Sequence, residues 1–390
     1  MSHCFDASRS LTALEQDSTL IAVIEMSQAK WLIAAIVPGI DRRPLKKLEA
    51  EPQRLLSLLH GWRSEAGQAG CEIKRIAVAY EAGRDGFWLA RWLQAHEIEA
   101  YVIHPSSVAV SREHRRAKTD RLDTELLVRA FVGWLRGEKR HCSMAAIPSV
   151  EDEDARCPNR ERESLVHERT RIVNRMKAIL ARFGIRGFRP TVRGGAEERL
   201  EALRTAEGRP LPDNTRAELR RHVARLRLVR EQMREIENER LRQLARPPGS
   251  DTGPQAMVRL IARIVGVGLE TADMLVNEIL SRNLRDRRAV ARYAGLTGSP
   301  DESGKRHREK GLSRTGNARV RYGMILLAWR FLQFQKGSAL TQWFFARTAD
   351  GRGGTRKTMI VALARKLLIA FWRLVTTGEM PEGVILRPAV

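Results

Sequence analysis

Two apolar, β-branched segments, Leu20–Glu25 and Trp31–Val37, are joined by a short polar link and constrain this chain more than any other feature. Strands so closely connected pair as an antiparallel hairpin. A third strand is expected around Leu45. Residues 51 to 66 carry Leu55, Leu56, Leu58, Leu59 and Trp62 at helical spacing. A strand over Ile73–Tyr80 ends at Glu81, a helix from Gly86 to His96 follows, and then a short strand over Ala100–Ile103. A helix starts near Thr119, an N-cap residue before Asp120 and the apolar Leu122, Leu126, Leu127 and Ala130. The resulting order is β-β-β-α-β-α-β-α.

That order describes a mixed sheet flanked by helices and matches the α/β ribonuclease H-like (RuvC-like) arrangement of many nucleases, resolvases and transposases. We expect it over residues 18–145. From about 151 the composition shifts to EDED, a long helical pattern from Arg160 to Phe183, a Gly/Arg/Pro-rich break, and a second helical run from Asn214 to Leu244. The second run places Leu219, Val223, Leu226, Val229, Met233, Ile236 and Leu241 close to heptad spacing. Two antiparallel long helices, or an intermolecular coiled coil, would bury that stripe, so 151–246 reads as a helical linker or oligomerisation region. After the linker RPPGSDTGP, a mainly α carboxy-terminal domain is expected over 255–378.

In that last region Gly266-Val267-Gly268 sits between two helical patterns, as in a helix-hairpin-helix turn, whose backbone N–H groups can meet a phosphate. A Gly-, Ser- and Arg-rich loop then carries Lys305, Arg306, Arg308, Lys310, Arg314, Arg319 and Arg321 against only Asp301, Glu302 and Glu309, and suits a nucleic-acid backbone. Tyr322, at the start of an apolar helix, reads as a core tyrosine. The stretch Met359–Val375 is interrupted by Arg365, Lys366 and Arg373, so it reads as a buried or half-buried helix and no membrane partner is expected.

Charge now decides the class of partner. Lys and Arg number 69 against 46 Asp and Glu, a net +23, with an isoelectric point near 10.9. This is a polyanion binder's balance. Cys4, Cys71, Cys142 and Cys157 are scattered without zinc-finger or disulfide spacing. The amino terminus lacks the pattern of a signal peptide. A reducing cytoplasm is expected.

Four acids fall where a ribonuclease H-like sheet would gather metal ligands: Glu25 on the first strand, Glu81 ending the fourth, and Asp120 with Asp123 on the third helix. Their i, i+3 spacing puts the two aspartates on one helix face. Any one acid alone is more often a surface carboxylate or cap; clustered, such groups repel unless a hard cation such as Mg²⁺ joins them. Ser303, in DESGKRH, is a candidate nucleophile in a basic loop, and Ser299 and Ser313 compete with it. On the residues alone, a metal-dependent nuclease and a catalytically silent nucleic-acid binder remain alternatives.

Taken together, VIEMSQAKW, VAYEAGRDGFW, KTDRLDTELL, GVGLETADML, AGLTGSPDESG and GLSRTGNARVR resemble the successive motifs of the insertion-sequence one-hundred-and-ten family of transposases, over about 20 to 375. The resemblance implies a DEDD site at Glu25, Glu81, Asp120 and Asp123 and a serine nucleophile at Ser303. It also implies Mg²⁺ as cofactor, transesterification through a phosphoserine, a structured guide RNA as partner, and a homo-oligomer, dimer or tetramer, whose site is shared between subunits. The first acid is usually Asp in that family; here Glu25 moves the carboxylate outward by one methylene, with ligation expected to be retained.

Overall fold

The eight-residue strand β1 (Thr19–Met26) is buried over its first six positions, because both faces of this central strand are covered. The structure, a computed structural model, describes residues 14–81, 83, 86–108, 120–138, 141–189, 195–245, 253–303, 306–312 and 315–388, without the side chains of 106, 120, 300–303 and 306–310. By its contacts the chain divides into two units, residues 1–151 and 152–390.

In the first unit β2 (Lys30–Ile36) pairs antiparallel with β1, and β3 (Leu45–Glu49) pairs antiparallel with β2. After α1 (Pro52–Gln68), β4 (Arg75–Glu81) runs parallel to β1. After α2 (Trp88–Ala95), β5 (Glu99–Ile103) runs parallel to β4. Following α3 (Asp120–Leu135), the two-residue β6 (Met144–Ala145) closes a six-stranded mixed sheet of order β3-β2-β1-β4-β5-β6. The expected element order is therefore present; Thr119, the expected cap of α3, lies outside the described residues.

The two-residue strand period divides the core. Leu20, Ala22 and Ile24 join Leu55, Leu59, Trp62, Leu89 and Leu93 of α1 and α2 on one face. Ile21, Val23, Ala77 and Ala79 join Leu127, Phe131, Trp134 and Leu135 of α3 on the other. Each such large apolar side chain contributes about 1.5–3 kcal/mol by its burial. Tyr101 of β5 lies 5.5 Å from Phe131 and 5.0 Å, edge-on, from Trp134, which fixes α3 against the sheet.

A short helix α4 (Val150–Asp154) leads to the second unit, where α5 (Cys157–Ala181) and α7 (Asp213–Ala245) form an antiparallel pair, with the short α6 (Ala196–Glu201) between them. Leu165, near the start of α5, clusters with Val229 and Met233, and Met176, Ile179 and Leu180, near its end, cluster with Leu219 and Val223. Of the two ways to bury the heptad stripe, the chain uses the first: the stripe is consumed within one subunit, except that Leu241 remains 55% exposed.

The remaining helices are α8 (Pro254–Ala262), α9 (Leu269–Leu275) continued by a π-helical turn over Val276–Leu280, and α10 (Arg287–Tyr293). The strands β7 (Gly298–Ser303) and β8 (Arg306–Leu312) precede α11 (Ala318–Phe334), α12 (Ala339–Arg347) and α13 (Gly353–Thr377). Their shared core includes Val258, Leu275, Ile279, Met324, Phe331, Leu363 and Phe371. Tyr322, expected in the core, is instead 63% exposed. The reason is helical phase: the buried stripe of α11 runs through Val320, Met324, Leu327 and Phe331, and a residue two positions from Val320 falls on the opposite side. Among the described residues no helix is long and apolar enough to cross a membrane.

Candidate active site

Parallel pairing of β1 with β4 aligns Ile24 with Tyr80. Glu25 and Glu81 are the next residues of the two strands, so they stand at one level on neighbouring strands. They also follow Ile21 and Val23, and Ala77 and Ala79, onto the face that α3 covers. Both are half-buried. Tyr80, 1% exposed, holds the segment beyond them: its hydroxyl donates to the Gly86 carbonyl at 3.2 Å and accepts from the Ala90 amide at 3.3 Å.

Helix α3 brings the other two acids toward the same edge. Its stripe Asp120, Asp123/Thr124, Leu127, Phe131, Trp134 repeats at three- and four-residue intervals, and Thr124 and Phe131 are fully buried. At its far end Arg136 sits against Gln16, just before β1 begins. The helix therefore runs against β1 and starts near the strand ends bearing Glu25 and Glu81. A helix amino terminus carries partial positive charge, which favours carboxylates there. Asp123 is half-buried, and the Asp120 side chain lies outside the described set. Among the described residues no three acidic, His or Cys side chains close into a metal-holding group.

At the opposite end of β4 and β5 lies a separate polar cluster. Glu99 accepts from Arg75 Nη2 at 2.7 Å and from the Tyr101 hydroxyl at 2.6 Å. Burial, reinforced by Glu99, pushes the Tyr101 hydroxyl up to about 12. It is neutral at any physiological pH and serves packing.

Ser303 was expected in a loop. It instead ends β7, in register with Arg306, while Asp301 faces Arg308 along an antiparallel ribbon. The sequence hides this ribbon because DES and RHREK lack apolar alternation, although the intervening Gly-Lys dipeptide is a two-residue hairpin signal. Ser299 lies on β7 and is half-buried; Ser313, Lys305 and Arg314 lie outside the described residues, and Arg306, Arg308 and Lys310 are placed only by backbone, on β8.

The base of the ribbon is pinned by residues that the sequence reading missed. Gly316, at φ +91°, packs so closely on Tyr293 and Arg292 that a Cβ would lie 2.6 Å from the Tyr293 carbonyl oxygen. Asn317 caps α11, accepting from the Arg319 and Val320 amides at 3.0 and 3.3 Å. Its side-chain amide donates at 2.9 Å to Glu278, which is 1% exposed in the π-helical turn. Arg160 of α5 donates to the same carboxylate at 3.0 and 3.3 Å. Burial acts to raise the Glu278 carboxyl, but Arg160, Asn317 and Arg156 outweigh it and hold it below the ordinary glutamate value. The available signal was a lone carboxylate inside the apolar run LVNEIL.

A second buried polar group lies one turn earlier on α9. Asp273 accepts from Asn159 at 2.7 Å and Asn277 at 3.0 Å and pairs with Arg240 at 3.0 Å. Burial pushes its carboxyl up despite these partners. Arg319, one of the candidate backbone contacts, pairs with Glu163, and Arg321 donates to the Thr315 carbonyl at 3.3 Å.

The glycine turn has the expected place between α8 and α9, but it is more enclosed than a free phosphate cradle. Gly266, at φ +92°, is buried with a virtual Cβ 2.9 Å from Phe334 Cβ, whereas Gly268 is the half-exposed N-cap of α9. The Val265 and Val267 amides are already taken by the Ile385 and Ile264 carbonyls.

The pattern of the family described as "Transposase IS116/IS110/IS902 family" matches residues 258–342, which include Gly266, Gly268 and the β7–β8 ribbon. The pattern of the DEDD transposases of IS110, described as "Transposase", matches residues 45–185. This second span takes in Glu81, Asp120 and Asp123 and begins after Glu25. Over 390 residues the chain is 42% identical to "Putative transposase y4rJ" of Sinorhizobium fredii (strain NBRC 101917 / NGR234), covering 96% of this chain and 97% of that protein. The chain belongs to the IS110 family of transposases. An IS110-family transposase is an enzyme that acts on DNA, in agreement with the charge of +23. Glu25, Glu81, Asp120 and Asp123 lie in the mixed-sheet unit of this transposase, and Ser303 lies in its mainly helical unit.

Proposed function

We propose that this IS110-family transposase moves an insertion sequence by transesterification, with Ser303 as nucleophile and Glu25, Glu81, Asp120 and Asp123 as the metal-holding acids. The register coincidence of Glu25 and Glu81 beneath the amino terminus of α3 carries the reading. The strand order β3-β2-β1-β4-β5 supports a ribonuclease H-like unit. Four oxygen donors and no sulfur or imidazole fit a hard cation, Mg²⁺. When bound, that ion would polarise a phosphate and offset developing charge.

The chain's own residues do the rest. Ser303 Oγ loses its proton and forms an O–P bond to the scissile phosphate, and the bond to the departing deoxyribose oxygen breaks as that oxygen takes up a proton. Rejoining runs the same step in reverse with a new strand end as attacking group. Basic residues on and beside the ribbon, Lys305, Arg306, Arg308, Lys310, Arg314, Arg319 and Arg321, hold phosphates, with the half-exposed Gly268, rather than the enclosed Gly266, as the contact from the glycine turn.

A structured RNA from the element selects the DNA sites, and the protein acts as a homo-oligomer on nucleoid DNA in the bacterial cytoplasm. Asp123, the nearest of the four acids to Ser303 in the chain, precedes it by 180 residues, and the acids of one subunit act with the Ser303 of another. The decisive experiment is recombination by purified protein with the element's own RNA and DNA ends. Mixing Ser303→Ala with Asp120→Ala subunits should restore activity; no restoration would assign a complete site to each subunit.

A further inference from the structure

Helix α11 turns an apolar and aromatic stripe to solvent that its own core does not use. Tyr322, Leu326 and Trp329 follow one another at four- and three-residue intervals and are 63%, 47% and 36% exposed. They span about 10 Å along the helix. Trp329 packs 6.5 Å from the buried Phe344, which in turn lies 5.7 Å from Phe345, itself 51% exposed on α12. The Arg356 guanidinium stands 5.4 Å from the Trp329 ring centre, and Arg330 stands 6.0 Å from that of Phe334.

The charge around this stripe narrows its partner. Residues 318–377, which form α11, α12 and α13, contain eleven Lys and Arg and one acid, Asp350. A second copy docked face to face would set Arg330 and Arg356 against their own copies, with no carboxylate to separate them. A polyanion meets no such penalty. Exposed rings flanked by guanidinium groups are the elements that bind unpaired nucleotides, since every base offers a π-face and each phosphate an anion. A duplex cannot use the rings, because its bases are already stacked.

We propose that Tyr322, Leu326, Trp329 and Phe345, with Arg330 and Arg356, form a docking surface for single-stranded DNA. DNA is chosen over RNA because the enzyme acts on DNA, and a strand that is cut and transferred must leave its duplex. The surface is independent of which serine is the nucleophile.

The test uses the full-length protein and three probes of about 20 units each: an oligothymidylate, a blunt duplex and an oligouridylate. Tyr322→Ala and Phe345→Ala should each weaken oligothymidylate binding roughly 5- to 100-fold and leave duplex binding within about twofold. The salt slope of these variants should not change. Tyr322→Phe should bind as the wild type does, and Arg356→Gln should lower the slope by about 0.7. The proposal is overturned if the alanine variants bind oligothymidylate normally or lose duplex binding equally. Tighter binding of oligouridylate than of oligothymidylate would also overturn it, as would a loss of self-association in place of a loss of DNA.

Discussion

Glu25 and Glu81 occupy the same level of two adjacent parallel strands, each one residue beyond the aligned pair Ile24 and Tyr80. Two half-buried carboxylates at neighbouring strand positions place oxygen donors where one hard cation could take both. Because Glu81 and Asp123 would hold that cation, Glu81→Ala and Asp123→Ala should each lower recombination about 100-fold or more, with the fold retained. Glu25→Asp should retain activity and Glu25→Gln should not. Recombination assays paired with thermal unfolding check this; equal activity across the set would remove the acids from the site.

Glu278 joins α5 to the cap of α11 and so to the base of the serine ribbon. Glu278→Gln should destabilise the protein by about 2–3 kcal/mol, less than the full loss of a buried ion pair because the Arg160 side chain is 45% exposed. Its pKa in the folded chain lies below the ordinary value of 4.5, so the folded carboxyl is the stronger acid. As pH falls through that value the unfolded chain takes up the proton first, so the contribution is present above pH 4.5 and is lost as pH falls through the lower folded value. Urea unfolding should show the gap between wild type and Glu278→Gln narrowing below pH 4.5. A constant gap would show that the carboxylate charge does not matter.

His222 is 4% exposed on the α5–α7 seam, and neither ring nitrogen makes a hydrogen bond; Glu218 Oε1 lies 3.7 Å from Nε2. Burial, opposed by Glu218, lowers its basicity from 6.5. The unfolded chain therefore binds the proton first as pH falls, and stability is lost below about pH 6.5. His222→Leu, beside Leu219 and Val223, should raise stability by about 1 kcal/mol at neutral pH and by more at pH 5. A variant less stable than wild type at pH 5 would contradict this.

The first unit was legible because its strands are β-branched and its helices amphipathic: Leu20–Ile24 stands out as a short continuous apolar run and the α3 stripe by its helical period. The placement of Glu25, Glu81 and Asp123 followed from the same periods. The β7–β8 ribbon was not legible, since DES and RHREK carry no apolar alternation. Tyr322 was misjudged because the apolar residues around it occupy more than one face of α11. The Glu278 network could not be read at all: Arg160 and Glu278 are 118 positions apart and meet only after the helices have packed.

The serine mechanism stands or falls on the identity of the atom that joins DNA. Purified protein should be incubated with element-end DNA and RNA, denatured, and searched for a covalent protein–DNA adduct, with the attachment residue mapped by peptide mass. The adduct is expected at Ser303: Ser303→Ala should still bind DNA yet give none, while Ser299→Ala and Ser313→Ala should give it in normal amount. An adduct that persists in Ser303→Ala, or strand transfer that proceeds with none in the wild type, would contradict the serine mechanism.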